Sequence, residues 1–326
     1  MIKGEFPILS LKNTNLSSPP EWNRDPLTGT VAPQVFGKAI DYRDSAKVGD
    51  IKYLWELNRH LQFPVLAQAY YLSGESRYLE AIQTQLDSWL DQCPYPSGPN
   101  WISSLELGIR LINWSLTWQL LRLKRPEKSL FESPDLEGRW LDSIYRHAHF
   151  IQGYFSRYSS ANNHLIGEAA GLFIASMTWP FWKDMKDWGR ISYRILVEEA
   201  LKQNALDGVN REQTVSYQQF VLDFMLLAVL AGKTNAIEFP KEYWARMEAL
   251  MEFIAAIMDV AGHVPMIGDA DDALVARLSQ EVDFCPYRSL LATGTLLFSR
   301  ADFRSKAGKL DDKTRWLLGG QTESFE

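Results

Sequence analysis

Near the middle of the chain, Ser160-Ala161-Asn162-Asn163-His164-Leu165-Ile166-Gly167-Glu168 sets two amides, an imidazole and a carboxylate within seven residues. Unpaired polar groups are costly to bury, so such a set either satisfies itself or faces a cleft where a ligand completes it. Asn162 or Asn163 can cap the helix implied by the apolar run that follows, because an Asx side chain accepts from the first free N–H groups. Glu168 stands one helical turn after His164, so the two can pair on one face. The plainer reading is a capped inner helix with a satisfied His–Glu pair.

Three further stretches carry reactive groups. In Asp207-Gly208-Val209-Asn210-Arg211-Glu212-Gln213-Thr214-Val215-Ser216-Tyr217, an Asp-Gly turn leads into an apolar helical run with Glu212, Gln213 and Tyr217 at its start. A tyrosine titrates near about 10 and becomes a base only where cations or donors stabilise its phenolate; otherwise it fills a core edge with its hydroxyl bonded. Gly268-Asp269-Ala270-Asp271-Asp272 places three carboxylates within four residues, a set that attracts hard cations. It lacks the EF-hand spacing and its closing Glu, and an Asx turn with a helix N-cap is the commoner use of such residues. We therefore assign no metal and no cofactor. In Asn100-Trp101-Ile102-Ser103-Ser104-Leu105-Glu106, Ser103 and Glu106 have capping-box spacing. Glu106 and Arg110 are spaced as an i,i+4 ion pair on a helix surface.

The elements that must position these groups are helical. Residues 1–50 are rich in Pro, Gly, Asn and Asp and read as a turn-rich arm. From Ile51 onward, apolar residues recur at three and four, and we expect helices over about 51–69 (divided or kinked at Pro64), 76–90, 105–123, 136–154, 163–179, 182–204, 212–231 and 243–260, with shorter apolar segments at 273–278 and 287–297. Residues 301–326 read as a polar tail after a helical domain over 51–300. Roughly ten helices with almost no alternating strand pattern make the fold all-α. Helical hairpins that bury one face on a neighbour and another on an inner layer form a curved double layer. We expect an (α/α) toroid or an incomplete α/α barrel; an α-solenoid is second, since no fixed-period repeat is present.

Composition narrows the function. The 326 residues carry a net charge of −6 with no block of like charge, which argues against a nucleic-acid surface and leaves no polybasic membrane anchor. An acidic chain can still hold a locally basic cleft for an acidic substrate. No apolar stretch reads as long enough to span a bilayer, and the N-terminus lacks a signal-peptide run. Compartment stays open, periplasmic or extracellular if the protein is exported. Cys93 and Cys285 stand alone without metal spacing and read as reduced thiols. The 12 Trp, 13 Tyr and 16 Phe are core material first, and a surplus of rings also suits a sugar groove.

In order and spacing, Asn100-Trp101…Glu106…Arg110, then Ser160-Ala161-Asn162-Asn163-His164-Leu165-Ile166-Gly167-Glu168, then Asp207-Gly208…Glu212-Gln213…Tyr217, then Pro265…Ile267-Gly268-Asp269 together resemble the heparinase II/III family of polysaccharide lyases. The resemblance runs from about Trp22 to Asp272. It implies an α/α toroid and β-elimination on a uronic-acid-containing, acidic polysaccharide. That chemistry neutralises the uronate carboxylate, removes the C5 proton and protonates the leaving oxygen. On the match, Asn163 binds the carboxylate with His164 beside it, and Tyr217 is general acid or both acid and base. Asn162, Trp101, Glu212, Gln213 and Asp269 contact substrate, while Glu168, Glu106 and Arg110 support them. Family members also carry a C-terminal β-sheet domain with a further catalytic His; this chain has no His after His263. The resemblance thus leads us to expect half a cleft and weak or no activity from this chain alone.

Two other functions compete. An α/α-barrel glycoside hydrolase needs two opposed carboxylates, for which Glu212 and Asp269 are the pair. A non-catalytic saccharide-binding module would keep glycan affinity when Tyr217 is changed to Phe.

Overall fold

The computed structural model describes residues 2–9, 11–131, 133–158, 161–269 and 274–325, except the side chains of residues 12, 13 and 324. They form two compact units, Met1–Phe155 with Thr178–Met185, and Ser156–Met177 with Lys186–Glu326.

In the first unit, a short antiparallel hairpin, β1 (Glu5–Ile8) and β2 (Leu11–Asn15), precedes α1 (Ser45–Val48), α2 (Ile51–Asn58), α3 (Gln62–Ser73), α4 (Ser76–Gln92), α5 (Ser104–Lys124) and α6 (Pro134–Gly153). The hairpin was not expected: four and five residues give too little alternation to read as strands. The turn-rich arm is held by its own side chains. Trp22 is fully buried and donates Nε1–H to Ser88. Asp25, also fully buried, accepts from the backbone of Leu27, Thr28 and Asp50. The helix expected over 51–69 is two, but the break falls at Arg59–Leu61, where His60 has a φ of 57°. Pro64 instead lies in the first turn of α3, where its missing N–H breaks no intrahelical bond. On α4, Leu79, Ile82, Leu86 and Trp89 form one buried stripe at helical spacing. α3 packs on α4 and α5, and α6 on the same two.

The second unit takes most of α7 (Asn163–Thr178) and α8 (Lys183–Gln203), then α9 (Val215–Thr234), α10 (Lys241–Ile257), α11 (Pro286–Phe298), α12 (Ala301–Ala307) and α13 (Asp312–Leu318). α9, α10 and α11 pack on one another. α9 corrects the expectation about apolar runs, since by length and composition it could cross a membrane; 78% of its most apolar window is buried within the protein, as in a core helix. The stretch expected as a polar tail is also helical. Its Lys313 is buried in an ion pair with Asp223 of α9, whose other oxygen accepts from Gln219 at 2.7 Å. Polar composition hid this because one of those charges is paired inside.

Candidate functional site

The site candidates of the second unit converge through α7. Asn162 precedes the helix, and its Oδ1 accepts from the N–H of His164 at 3.1 Å, the capping bond expected. Asn163 is the first helical residue and is 5% exposed. It donates its backbone N–H and its Nδ2–H to the two carboxylate oxygens of Glu212, each at 2.8 Å. Glu212 thus satisfies an otherwise orphan N–H of the helix start from 49 residues away. His164 follows, half-buried. One turn on, fully buried Glu168 takes the N–H and Oγ–H of Ser156 at 2.7 and 2.6 Å, tying the approach loop to the helix.

Glu212 is held by a chain of buried amides. Asn210 Oδ1 accepts the N–H of Glu212 at 3.0 Å, and Asn210 Nδ2 donates to Asn204 at 2.8 Å. Gln218 accepts the Asn210 N–H and donates to the carbonyls of Gly208 and Leu250. Gly208 has a φ of 81°, and a Cβ there would meet the Ala249 carbonyl at 1.9 Å, so only glycine closes this turn. Glu212 and Gln213 lie before α9 rather than on it, because the helix begins at Val215; Gln213 has a φ of 55° and is exposed. Of the three residues expected at the helix start, only Tyr217 is therefore on α9. Tyr217, in the first turn of α9, is half-buried.

The loop ending at Asp269 docks on the same helix start. The Asp269 carbonyl accepts from Thr214 Oγ1 at 2.9 Å and Ser216 Oγ at 2.7 Å, and Val215 N–H donates to Ile267 O at 3.1 Å. Gly268, at φ 75°, lets the loop approach Thr214. The Asp269 residue is exposed and is fixed through its main chain. Asp271 and Asp272, the other expected carboxylates of that loop, lie outside the described residues.

The first-unit candidates are sealed. Trp101 is 1% exposed, gives its indole N–H to Cys93 O at 3.1 Å, and is enclosed by Trp89, Tyr95, His147 and Phe150. Its ring is packed as core in this structure, where the sequence reading expected a substrate contact. Ser103 is the N-cap of α5 but makes no side-chain capping bond. The expected Glu106–Arg110 surface pair is replaced by buried partners. Glu106 binds Arg59 through both oxygens at 2.7 and 2.9 Å. Arg110, fully buried, donates to Asn58 O, to His147 Nε2 and to Asn100 Oδ1, and lies 4.7 Å from the Trp89 ring centre. Desolvation brings its guanidinium down to about 10. The same burial, then the Arg110 charge, holds His60 and His147 well below the ordinary imidazole value. Burial also pushes the Cys93 thiol up to about 12, an inert thiol.

The family model for the heparinase II/III N-terminus matches residues 27–291. The chain belongs to the heparinase II/III family. Among curated relatives, the heparin-sulfate lyase of Bacteroides thetaiotaomicron is 26% identical over 241 residues, covering 71% of this chain and 34% of the relative. That of Pedobacter heparinus is 25% identical over 245 residues, covering 72% and 35%. The chain thus spans about a third of the length of the curated relatives it matches. Among solved structures, heparan sulfate lyase from Pedobacter heparinus aligns with a TM-score of 0.59 at 22% identity, covering 84% of this chain and 41% of that one. A heparinase III aligns at 0.58 and 22%, covering 78% and 39%. These likenesses show the fold, all-α and of the (α/α) toroid class expected from the helix pattern.

Within this heparinase II/III chain, sequence reading missed Asn204, Asn210 and Gln218 as the scaffold under Glu212. Their only signal was an amide interrupting an apolar helical run, together with an Asn beside an Asp-Gly turn. It also passed over Arg157 and Arg211, which line one cavity with Asn162 and Glu212.

Proposed function

We propose that this chain supplies the carboxylate-binding half of a polysaccharide lyase that cleaves uronic-acid-containing polysaccharide by β-elimination. The observation that carries this reading is the paired hold of Glu212 on Asn163. An amide nitrogen has two hydrogens. With one given to Glu212, the amide is fixed at the start of α7, and the other is left to bind the uronate carboxylate. The positive end of the helix dipole at that start favours an anion. Hydrogen bonding to the carboxylate lets the C5 proton leave as charge develops toward an enolate. Tyr217, in the first turn of α9, either takes the C5 proton and then hands it to the leaving glycosidic oxygen, acting as base and acid both, or gives its own proton to that oxygen as acid alone while the C5 proton passes to a separate base; His164 flanks the carboxylate. Glu212 is a positioning group here, because both its oxygens are occupied. The same occupancy argues against Glu212 and Asp269 as a hydrolase pair, and the heparin-sulfate lyase relatives support the lyase class.

The test is ultraviolet detection of unsaturated uronate product with a panel of uronate polymers, at protein concentrations high enough to read the weak turnover expected of half a cleft. Asn163→Ala and Tyr217→Phe should each lower product formation by about a hundredfold or more. Reducing-end release without ultraviolet absorbance, or full activity in both variants, would overturn the reading.

A further inference from the structure

The turn between α8 and α9 that carries Glu212 is pinned through one residue. Asn210 is 1% exposed, and each of its four polar atoms has a partner. Its N–H donates to Gln218 Oε1 at 3.3 Å, and its carbonyl accepts the Gln213 N–H at 2.9 Å. Its Oδ1 accepts the Glu212 N–H at 3.0 Å, while its Nδ2–H donates to Asn204 Oδ1 at 2.8 Å. The polarity of this chain is set from its far end. Asn204 is fully buried and donates its Nδ2–H to Ala200 O at 2.9 Å, so its Oδ1 faces Asn210. The Asn204 carbonyl is held in turn by Arg246 of α10. Turning either amide over would set donor against donor and acceptor against acceptor, a mismatch that buried groups cannot repair with water.

The turn is also strained just past Glu212. Gln213 has a φ of 55° although its residue is exposed, so burial does not hold it there. A non-glycine residue persists in the left-handed region where its surroundings over-determine it, and here the Asn210 carbonyl holds the Gln213 N–H. Glu212 thus stands between a locked residue and a strained one, with both oxygens on Asn163. We infer that Asn210 is a positioning residue for Asn163. It sets the place of Glu212, and Glu212 sets the direction of the Asn163 amide. The consequence for turnover rests on the lyase reading; the consequence for the Asn163 amide does not.

The experiment reads two quantities on this chain. One is the side-chain NH2 resonance of Asn163 in heteronuclear NMR spectra, assigned by its loss in Asn163→Ala. The other is product formation from uronate polymer, measured well below the Tm of every variant. Asn210→Ala should move the Asn163 resonance in the same direction as Glu212→Ala does, and should speed exchange of those amide hydrogens by about tenfold. It should also slow product formation by about tenfold. In a Glu212→Ala background, Asn210→Ala should cost less than about twofold further, because it acts through the group already removed. A residue that only stabilises the fold would leave the resonance in place and would multiply the loss of Glu212→Ala. Either result would overturn the inference. Should Asn210→Ala fail to fold, Asn204→Ala, one hydrogen bond further out, is judged by the same criteria. A moved resonance with no product from any uronan, wild type included, keeps the positioning role and removes the lyase function. Product with an unmoved resonance does the reverse.

Discussion

Two polar clusters in this chain sit at helix starts, and they are put to opposite uses. In the first unit, Glu106, Arg110, Arg59 and His147 are each 9% exposed or less, and so are Asn58 and Asn100, which accept from Arg110. In the second, Asn163 and Glu212 are matched just as closely, yet Glu212 and Asn162 border an open cavity. Both clusters obey the rule that buried polar groups find partners. The difference is in the surroundings. Arg110 lies against Trp89, which packs on Trp101 and Trp114 within the core. Asn163 is flanked by Asn162 and held by Glu212, both of which line a cavity. A sealed cluster contributes stability and rigidity, while one beside a cavity can contribute binding.

The largest effect should come from breaking the sealed cluster. Arg110→Ala strands the Asn58 carbonyl, His147 Nε2 and Asn100 Oδ1 and leaves a cavity beside Trp89. We expect a loss of about 3–5 kcal/mol, measured by denaturant unfolding. Arg211→Ala, at an exposed position, should change stability by less than about 0.5 kcal/mol. Similar losses in the two variants would erase the distinction between the clusters.

A smaller effect follows from pH. Arg110 donates to His147 Nε2, so the His147 Nδ1–H donates to Ser143 O at 2.7 Å; Trp114 likewise donates to His60 Nδ1. Both imidazoles are neutral in the fold, with pKa values held below the ordinary 6.5. Above the unfolded value their contribution is fully present. As pH falls below it, the unfolded chain takes up protons that the folded chain refuses, and stability declines by up to roughly 1.4 kcal/mol per pH unit for each histidine. The Tm should therefore drop between pH 7.5 and pH 5, and His147→Gln, which keeps both hydrogen bonds, should flatten the decline. A slope unaltered by His147→Gln would contradict this assignment.

These contrasts also mark how far the sequence could be read. Helix positions were legible because apolar spacing is a local signal: α4, α5, α6 and α10 lie within a few residues of expectation. The start of α9 was not, since Glu212 and Gln213 belong to a turn fixed by Asn210 and Gly208 from outside the helix. The helix start at Asn162-Asn163 was legible through cap chemistry, but the partner of Asn163 was not, because Glu212 is 49 residues away. The Glu106–Arg110 spacing misled for the reverse reason. Its local pattern suits a surface pair, and only tertiary packing shows both residues to be buried.

A smaller stability effect than that of Arg110→Ala belongs to the variant that tests the central claim most directly, that Glu212 orders Asn163 for substrate rather than for the fold. Glu212→Ala removes one helix cap, which costs about 1 kcal/mol and shifts Tm by about 2–4 °C in a protein of this size. Product formation from uronate polymer and Tm should be measured on the same preparation. The account predicts a rate at least about tenfold lower with that modest Tm shift. An unchanged rate, or a rate loss matched by a collapse of the fold, would contradict it.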